Sequence, residues 1–227
     1  MSVDPAGRRE ARHATSALAS AQREALDREG FFLAPNALDG AWVERLHLAF
    51  AGAPVQDNGT QHVAISAATP DREAWLELAR HPVFLAAASH VLVGAFRVGD
   101  PHGRNPLPGY GQQGLHADWM ERTPSSPYIV VTAIWMLDDF TTANGATRIV
   151  PGTHLVPRAI TKSLGQPLAH HPKERIVTGA AGSVLLLNGH VWHSGTKNES
   201  SAPRRAAQIS CLRQPPSALG KRHAEEQ

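Results

Sequence analysis

The residues with the clearest chemical potential stand close together in the stretch Gly111-Gln-Gln-Gly-Leu-His-Ala-Asp-Trp119. His116 and Asp118 lie two apart, so in extended backbone both side chains project from one face. An imidazole and a carboxylate placed this way can ligate one hard-to-borderline metal ion. A third ligand has to come from a distant part of the chain, and Leu187-Asn-Gly-His190-Val-Trp-His193-Ser-Gly offers two histidines. Two histidines and one carboxylate form a facial set that leaves the opposite face of an octahedral iron(II) open for a cosubstrate and O₂. An H-x-D pair on its own is common by chance, so its weight depends on what accompanies it.

A pair of arginines accompanies it. Arg204 and Arg205 open the run Arg-Arg-Ala-Ala-Gln-Ile-Ser-Cys-Leu. In a strand, residues 204, 206, 208 and 210 share one face, small or polar after the arginine. Residues 205, 207, 209 and 211 share the other, more apolar face. An inward arginine needs a carboxylate, and bidentate capture of a small dicarboxylate supplies one. An exposed basic pair at a strand edge is the competing reading, and alternation alone does not say which arginine points inward.

These residues need a scaffold, and the chain divides into two grammars. Residues 16–28 are strong helix formers that stop before Gly30. A short strand follows at 31–33. A second helix starts at 36–39, with Trp42, Leu46 and Phe50 at four-residue spacing. A third is predicted after Thr69-Pro70, with Thr69 as cap, Pro70 in the first turn, and Trp75, Leu78 and Ala79 as its apolar stripe. Pro82 restarts a fourth, to about residue 91. Beyond residue 92 come short apolar or alternating runs at 95–98, 128–137, 147–150, 175–177, 183–188 and 204–212, separated by Gly/Pro-rich turns. Many short, punctuated strands behind a helical N-terminal third predict a mainly β (α+β) fold with a sandwich or barrel core. The stretch 100–111 reads as a long loop at the site.

Composition excludes several classes. The 227 residues contain one cysteine, Cys211, which rules out a disulfide framework and a multi-thiolate zinc site. Twenty-two Lys+Arg against twenty Asp+Glu give a net charge of +2, interleaved along the chain, so nucleic-acid binding has little support. No apolar run approaches the roughly 20 residues of a membrane helix. The opening residues carry no secretory h-region. The expectation is a cytoplasmic single domain over 16–215, with frayed tails at 1–15 and 216–227.

Four segments, in order, resemble the phytanoyl-CoA dioxygenase family: GLHADW at 114–119, AIWMLDDFTTANGATRIVPGTHL at 133–155, GSVLLLNGHVWHSGTKN at 182–198 and PRRAAQISC at 203–211. LDREGFFLAPNALD at 26–39 is similar to the family's helix-to-strand entry. The resemblance implies a double-stranded β-helix (jelly roll, cupin-like barrel) flanked by helices, Fe(II) as cofactor, and 2-oxoglutarate and O₂ as cosubstrates. It places the metal ligands on His116, Asp118 and His193, not His190, which then has a minor role at the site mouth. The family's oxoglutarate arginine follows the distal histidine by eleven residues and falls on Arg204. The serine that many relatives carry two residues after that histidine is Gly195 here, leaving Ser194 and Thr196 as neighbouring hydroxyls. Halogenating relatives replace the carboxylate with a small residue, and this chain keeps Asp118, so hydroxylation or a related oxidation is implied.

Around this centre, Gln112 and Gln113 are candidates for contacting 2-oxoglutarate, with parity favouring Gln112, and Thr196 is a third. Candidates for the substrate pocket are Trp119, Met120, Arg97, Trp135 and His190, although the core is the better reading of Trp135. Substrate is expected to enter between 100–111 and 120–126. The partner expected is a small molecule or natural-product intermediate, with no nucleic acid and no membrane; monomer and homodimer are both open. Two alternatives compete: a cupin-like metal enzyme without 2-oxoglutarate, in which Arg204 would tolerate substitution, and a non-catalytic jelly-roll binding module, which would bind no stoichiometric iron.

Overall fold

The computed structural model describes residues 18–119, 123, 125–156 and 165–214. Both predicted tails, and Met120, lie wholly or almost wholly outside them. Helix α1, Ser20–Arg28, leads through Gly30 into strand β1, Phe31–Ala34. Gly30 has φ +89°, and a Cβ there would sit 2.6 Å from His154 Nδ1, so the turn depends on glycine. Helix α2, Gly40–His47, is capped by Asp39, whose carboxylate accepts the Trp42 N–H at 2.7 Å. A 3₁₀ turn over Leu48–Phe50 carries the apolar stripe on to Phe50. Strand β2, Thr60–Ala64, precedes helices α3, Arg72–Leu78, and α4, Pro82–Leu92. The predicted cap of α3 is wrong. Asp71 occupies that position, while the Thr69 hydroxyl accepts the Ser66 N–H. Pro82 does open α4, where a missing N–H costs nothing.

The strands then follow: β3 Phe96–Val98, β4 His102–Pro106, β5 Val130–Met136, β6 Thr147–Val150, β7 Arg175–Val177, β8 Val184–Asn188, β9 Trp192–Gly195 and β10 Ala206–Arg213. One antiparallel sheet runs β1-β8-β5-β10-β4-β2, with β3 beside β4 on the same edge of β10. The second runs β7-β6-β9. The fold is a jelly roll of mainly antiparallel strands with helices on one face, and the two sheets do not close into a continuous barrel.

Alternation sorts the large sheet's two faces. Val131, Ala133 and Trp135 of β5, with Ala207, Ile209 and Cys211 of β10, pack against Trp75, Phe84 and Leu92 of the helices. Thr132 and Ile134, with Gln208 and Ser210, turn the other way and line a cavity between the sheets. Each strand thus builds core with one set of residues and site with the next. Stretch 100–111, read as a loop, instead contains β4, which brings His102 and Arg104 into that cavity. No helix among the described residues is long and apolar enough to cross a membrane.

Candidate active site

The cavity measures about 220 Å³ and is open on one side. At its centre one ligand atom each from His116, Asp118 and His193 lie within 4.8 Å of one another. His193 comes from β9. His116 lies outside the regular strands but bridges to it, with reciprocal backbone N–H···O bonds of 3.0 and 2.9 Å. That bridge sets the two imidazoles 4.6 Å apart, centroid to centroid.

The ring nitrogens facing away from the cavity are both committed. His116 Nδ1–H donates to the Gly114 carbonyl at 2.9 Å, and His193 Nδ1–H donates to the Val191 carbonyl at 2.9 Å. Each Nε2 is directed into the site, the orientation a metal requires once His193 gives up the proton it shares with Asp118. Asp118 Oδ2 accepts from the Thr132 hydroxyl at 2.7 Å, which in turn pairs with Ser210 at 2.9 Å. Gly189 makes room: its carbonyl accepts the Asp118 N–H at 2.7 Å, and a Cβ on it would lie 2.9 Å from Asp118 Oδ2.

Electrostatics agree with a cation site. Burial opposes the charge on Asp118, but His193, the Thr132 hydroxyl and His116 outweigh it and draw the carboxyl down to about 2. Burial likewise opposes protonation of His193, and Asp118, 3.5 Å away, reverses the balance and raises it. Burial and the neighbouring His193 lower His116.

Arg204 enters the same cavity just before β10. It is 6% exposed, its guanidinium carbon lies 4.9 Å from the Phe140 ring centre, and its Nε has no hydrogen-bond partner. Arg205 turns the other way and takes Asp138, with contacts of 2.9 and 2.6 Å. Alternation left the choice between these two arginines open, and the structure gives the cavity to Arg204. A buried guanidinium with no carboxylate suits an anionic guest. The donor set, two imidazoles and one carboxylate, suits an iron(II) ion with open positions.

Several other expectations are corrected. The segment 111–115 is irregular, so the parity argument for Gln112 fails. Gln113 lines the cavity, where its Oε1 accepts the Gly195 N–H at 3.1 Å, whereas Gln112 accepts from Lys197 N–H at 3.0 Å outside it. The Thr196 hydroxyl donates to the Ala146 carbonyl and faces away. Thr147, paired with Gly195 across β6 and β9, brings a hydroxyl to that position instead. Trp135 fits the core reading preferred for it, fully buried against His81 on the helix side of β5. His190 is buried, and its Nε2 accepts the Ile129 N–H, which makes it a scaffold residue rather than one at the mouth. Trp119 is 43% exposed and does not line the cavity, nor does Arg97, which pairs with Leu212 in the β3–β10 ladder.

The sequence reading missed Arg104, His102 and Gln208 in the wall, Thr132 and Ser210 behind Asp118, and Arg148. The last is 3% exposed and donates to Ser194 Oγ, Glu174, and the carbonyls of Ala169, Pro167 and Gln113. It ties β9, the Gln113 segment and residues 165–174 together. Its signal was an arginine inside a short, fully buried strand, beside Ile149 and Val150.

A family model described as phytanoyl-CoA dioxygenase matches residues 26–206, most of the chain. The chain belongs to the phytanoyl-CoA dioxygenase family. Among curated relatives, the dioxygenase trt7 of Aspergillus terreus is 29% identical over 112 residues, which cover 47% of this chain and 37% of that protein. The matches to such relatives span only about a third of their length. Among solved structures, HygX from Streptomyces hygroscopicus with nickel and 2-oxoglutarate bound superposes with a TM-score of 0.72, at 19% identity, covering 87% of this chain and 88% of that one. SnoK, a non-heme alpha ketoglutarate dependent carbocyclase from nogalamycin biosynthesis, gives 0.68 at 17% identity, covering 86% and 84%. At those identities the likeness establishes the fold alone.

Proposed function

We propose that this protein is an iron(II)- and 2-oxoglutarate-dependent oxygenase of the cytoplasm that oxidises an unactivated C–H bond of a small molecule, in the simplest case by hydroxylation. The observation that carries the reading is the shared cavity: three metal-ligand atoms within 4.8 Å of one another and, in the same wall, a buried arginine with no carboxylate of its own. Family membership, and solved neighbours crystallised with 2-oxoglutarate, support it. The carbocyclase among those neighbours shows that one fold hosts more than one outcome.

His116 and His193 present Nε2 to the metal, each oriented by the carbonyl that accepts its Nδ1–H. Asp118 completes the set, and the Thr132 hydroxyl fixes which oxygen faces inward. Arg204 would hold the far carboxylate of 2-oxoglutarate, with Gln113 and Thr147 as polar neighbours in the same cavity. Ile134 supplies an apolar wall that limits water. With iron and 2-oxoglutarate bound, the centre supplies O₂-dependent oxidising power coupled to decarboxylation to succinate; orientation and exclusion of side reactions fall to the residues named.

The test is anaerobic titration of the metal-free protein with iron(II) and then 2-oxoglutarate, following the weak visible charge-transfer band of the chelate. Wild type is expected to give the band, Arg204→Ala a weakened one and His193→Ala none. Stoichiometric iron without a band would overturn the oxoglutarate reading in favour of a cupin-like metal enzyme. Absence of iron binding would leave a jelly-roll binding module.

A further inference from the structure

The cavity holds a second guanidinium. Arg104 lies on β4 and lines the same space as Arg204. The β4–β10 register sets it opposite Ala206 and sets His102 opposite Gln208. The other arginines that the fold buries have partners: Arg148 holds Glu174 and Arg205 holds Asp138. Among the described residues nothing pairs with Arg104.

We propose that Arg104, with Gln208 beside it, is an anion subsite that recognises a carboxylate on the substrate. The inference rests on the oxoglutarate reading and follows from counting charge. A divalent metal, two guanidinium groups and the Asp118 carboxylate leave three positive charges in the cavity. The 2-oxoglutarate dianion neutralises two, one carboxylate going to the metal and the other to Arg204. One positive charge remains, on Arg104, in a place where burial already disfavours it. A substrate with one anionic group balances it, and a neutral substrate does not.

The neighbouring side chains are arranged as donors. His102 stacks on His62 at 5.4 Å and 22°, and its Nε2–H donates to Gln208 Oε1 at 3.1 Å. With that oxygen engaged, Gln208 has its amide N–H₂ left for a guest. Burial holds His102 toward its neutral form, so it adds shape rather than charge. A planar fork with an amide donor beside it matches the two oxygens of a carboxylate.

The test uses protein loaded with nickel(II) and 2-oxoglutarate. Matched carboxylate and carboxamide pairs of increasing size, from acetate and acetamide through benzoate and benzamide to the 1-naphthoyl pair, are titrated by ligand-observed NMR. The best-fitting acid is expected to bind at least tenfold more tightly than its amide. Arg104→Gln should reduce that ratio to below threefold and change 2-oxoglutarate affinity less than threefold, while Arg204→Gln abolishes cosubstrate binding. Arg104→Lys, which keeps charge but loses the fork, should give an intermediate ratio, so a folding defect in one variant does not decide the matter. Equal binding of acids and amides across the panel would overturn the proposal. So would an Arg104→Gln variant that loses 2-oxoglutarate as completely as Arg204→Gln, since Arg104 would then serve the cosubstrate. Failure of wild type to bind 2-oxoglutarate would instead sink the underlying reading.

Discussion

Replacing Arg204 with methionine should make the ligand-free protein more stable while removing its use for a dicarboxylate. Burial, with a smaller contribution from Arg104, holds the Arg204 guanidinium down to a pKa of about 9 from an ordinary 12.5. At roughly 1.4 kcal/mol for each pH unit, that is about 5 kcal/mol of cost in keeping the charge in place. Part of it returns in contact with the Phe140 ring, about 0.5–2 kcal/mol. Solvent screening through the open side of the cavity offsets more. Methionine keeps most of the apolar stem and carries no charge, so a net gain of about 1–3 kcal/mol is expected, within the range seen when buried ionic groups are replaced by apolar ones.

For a chain of this length, roughly 2–4 °C accompanies each kcal/mol. Arg204→Met should therefore melt about 2–12 °C higher than wild type in metal-free buffer. Adding nickel(II) and 2-oxoglutarate together should raise the wild-type Tm well beyond nickel alone, and should raise the variant no further than nickel alone does. Differential scanning calorimetry of both proteins in the three conditions reads all of this. A ligand-free variant that melts below wild type would refute the reasoning, because the guanidinium would then be contributing a satisfied interaction rather than a stored cost.

Four further outcomes follow from the same geometry. Gly189→Ala would place a methyl 2.5 Å from Val130 Cγ1 and 2.9 Å from Asp118 Oδ2, so nickel affinity should drop at least tenfold by calorimetric titration, with an overpacking penalty of about 1–3 kcal/mol; unchanged affinity would mean the Asp118 position is not set by this contact. Arg148→Met removes the guanidinium from Glu174 and from four other acceptors and should cost about 3–5 kcal/mol in urea unfolding; a loss under 1 kcal/mol would show that residues 165–174 do not depend on it. In metal-free protein the Asp118 carboxyl is held at about 2 against an ordinary 3.8, so the unfolded chain takes up this proton first as pH falls. The stabilisation, about 2 kcal/mol, is full above pH ~4 and is lost as pH falls toward 2; Asp118→Asn should flatten that slope. His193 is raised, so a metal must displace its proton, and nickel affinity should climb with pH above 6.5; a flat profile between pH 6 and 8 would contradict the pairing with Asp118.

What could be read in advance divides along a physical line. His116, Asp118, His193 and Arg204 carry their chemistry in residue type and order, and the fold places all four on one cavity. The wall between them was illegible because β4 inverts the usual strand signature. Its core-facing Gly103 has no side chain, since a Cβ there would meet Phe50, Val63 and Trp75 at 2.8–2.9 Å. Its cavity-facing residues, His102 and Arg104, are polar and charged. A strand whose apolar face is lent by its neighbours shows no alternation and so reads as a loop. The same lending explains Thr147. The hydroxyl sought beside His193 along the chain, at Thr196, arrives across the ladder from β6 opposite Gly195, a relation fixed by strand register rather than by sequence distance. Elements whose own residues fill the core announced themselves. β4 did not, because its core-facing residue is a glycine and its cavity-facing side chains are polar or charged.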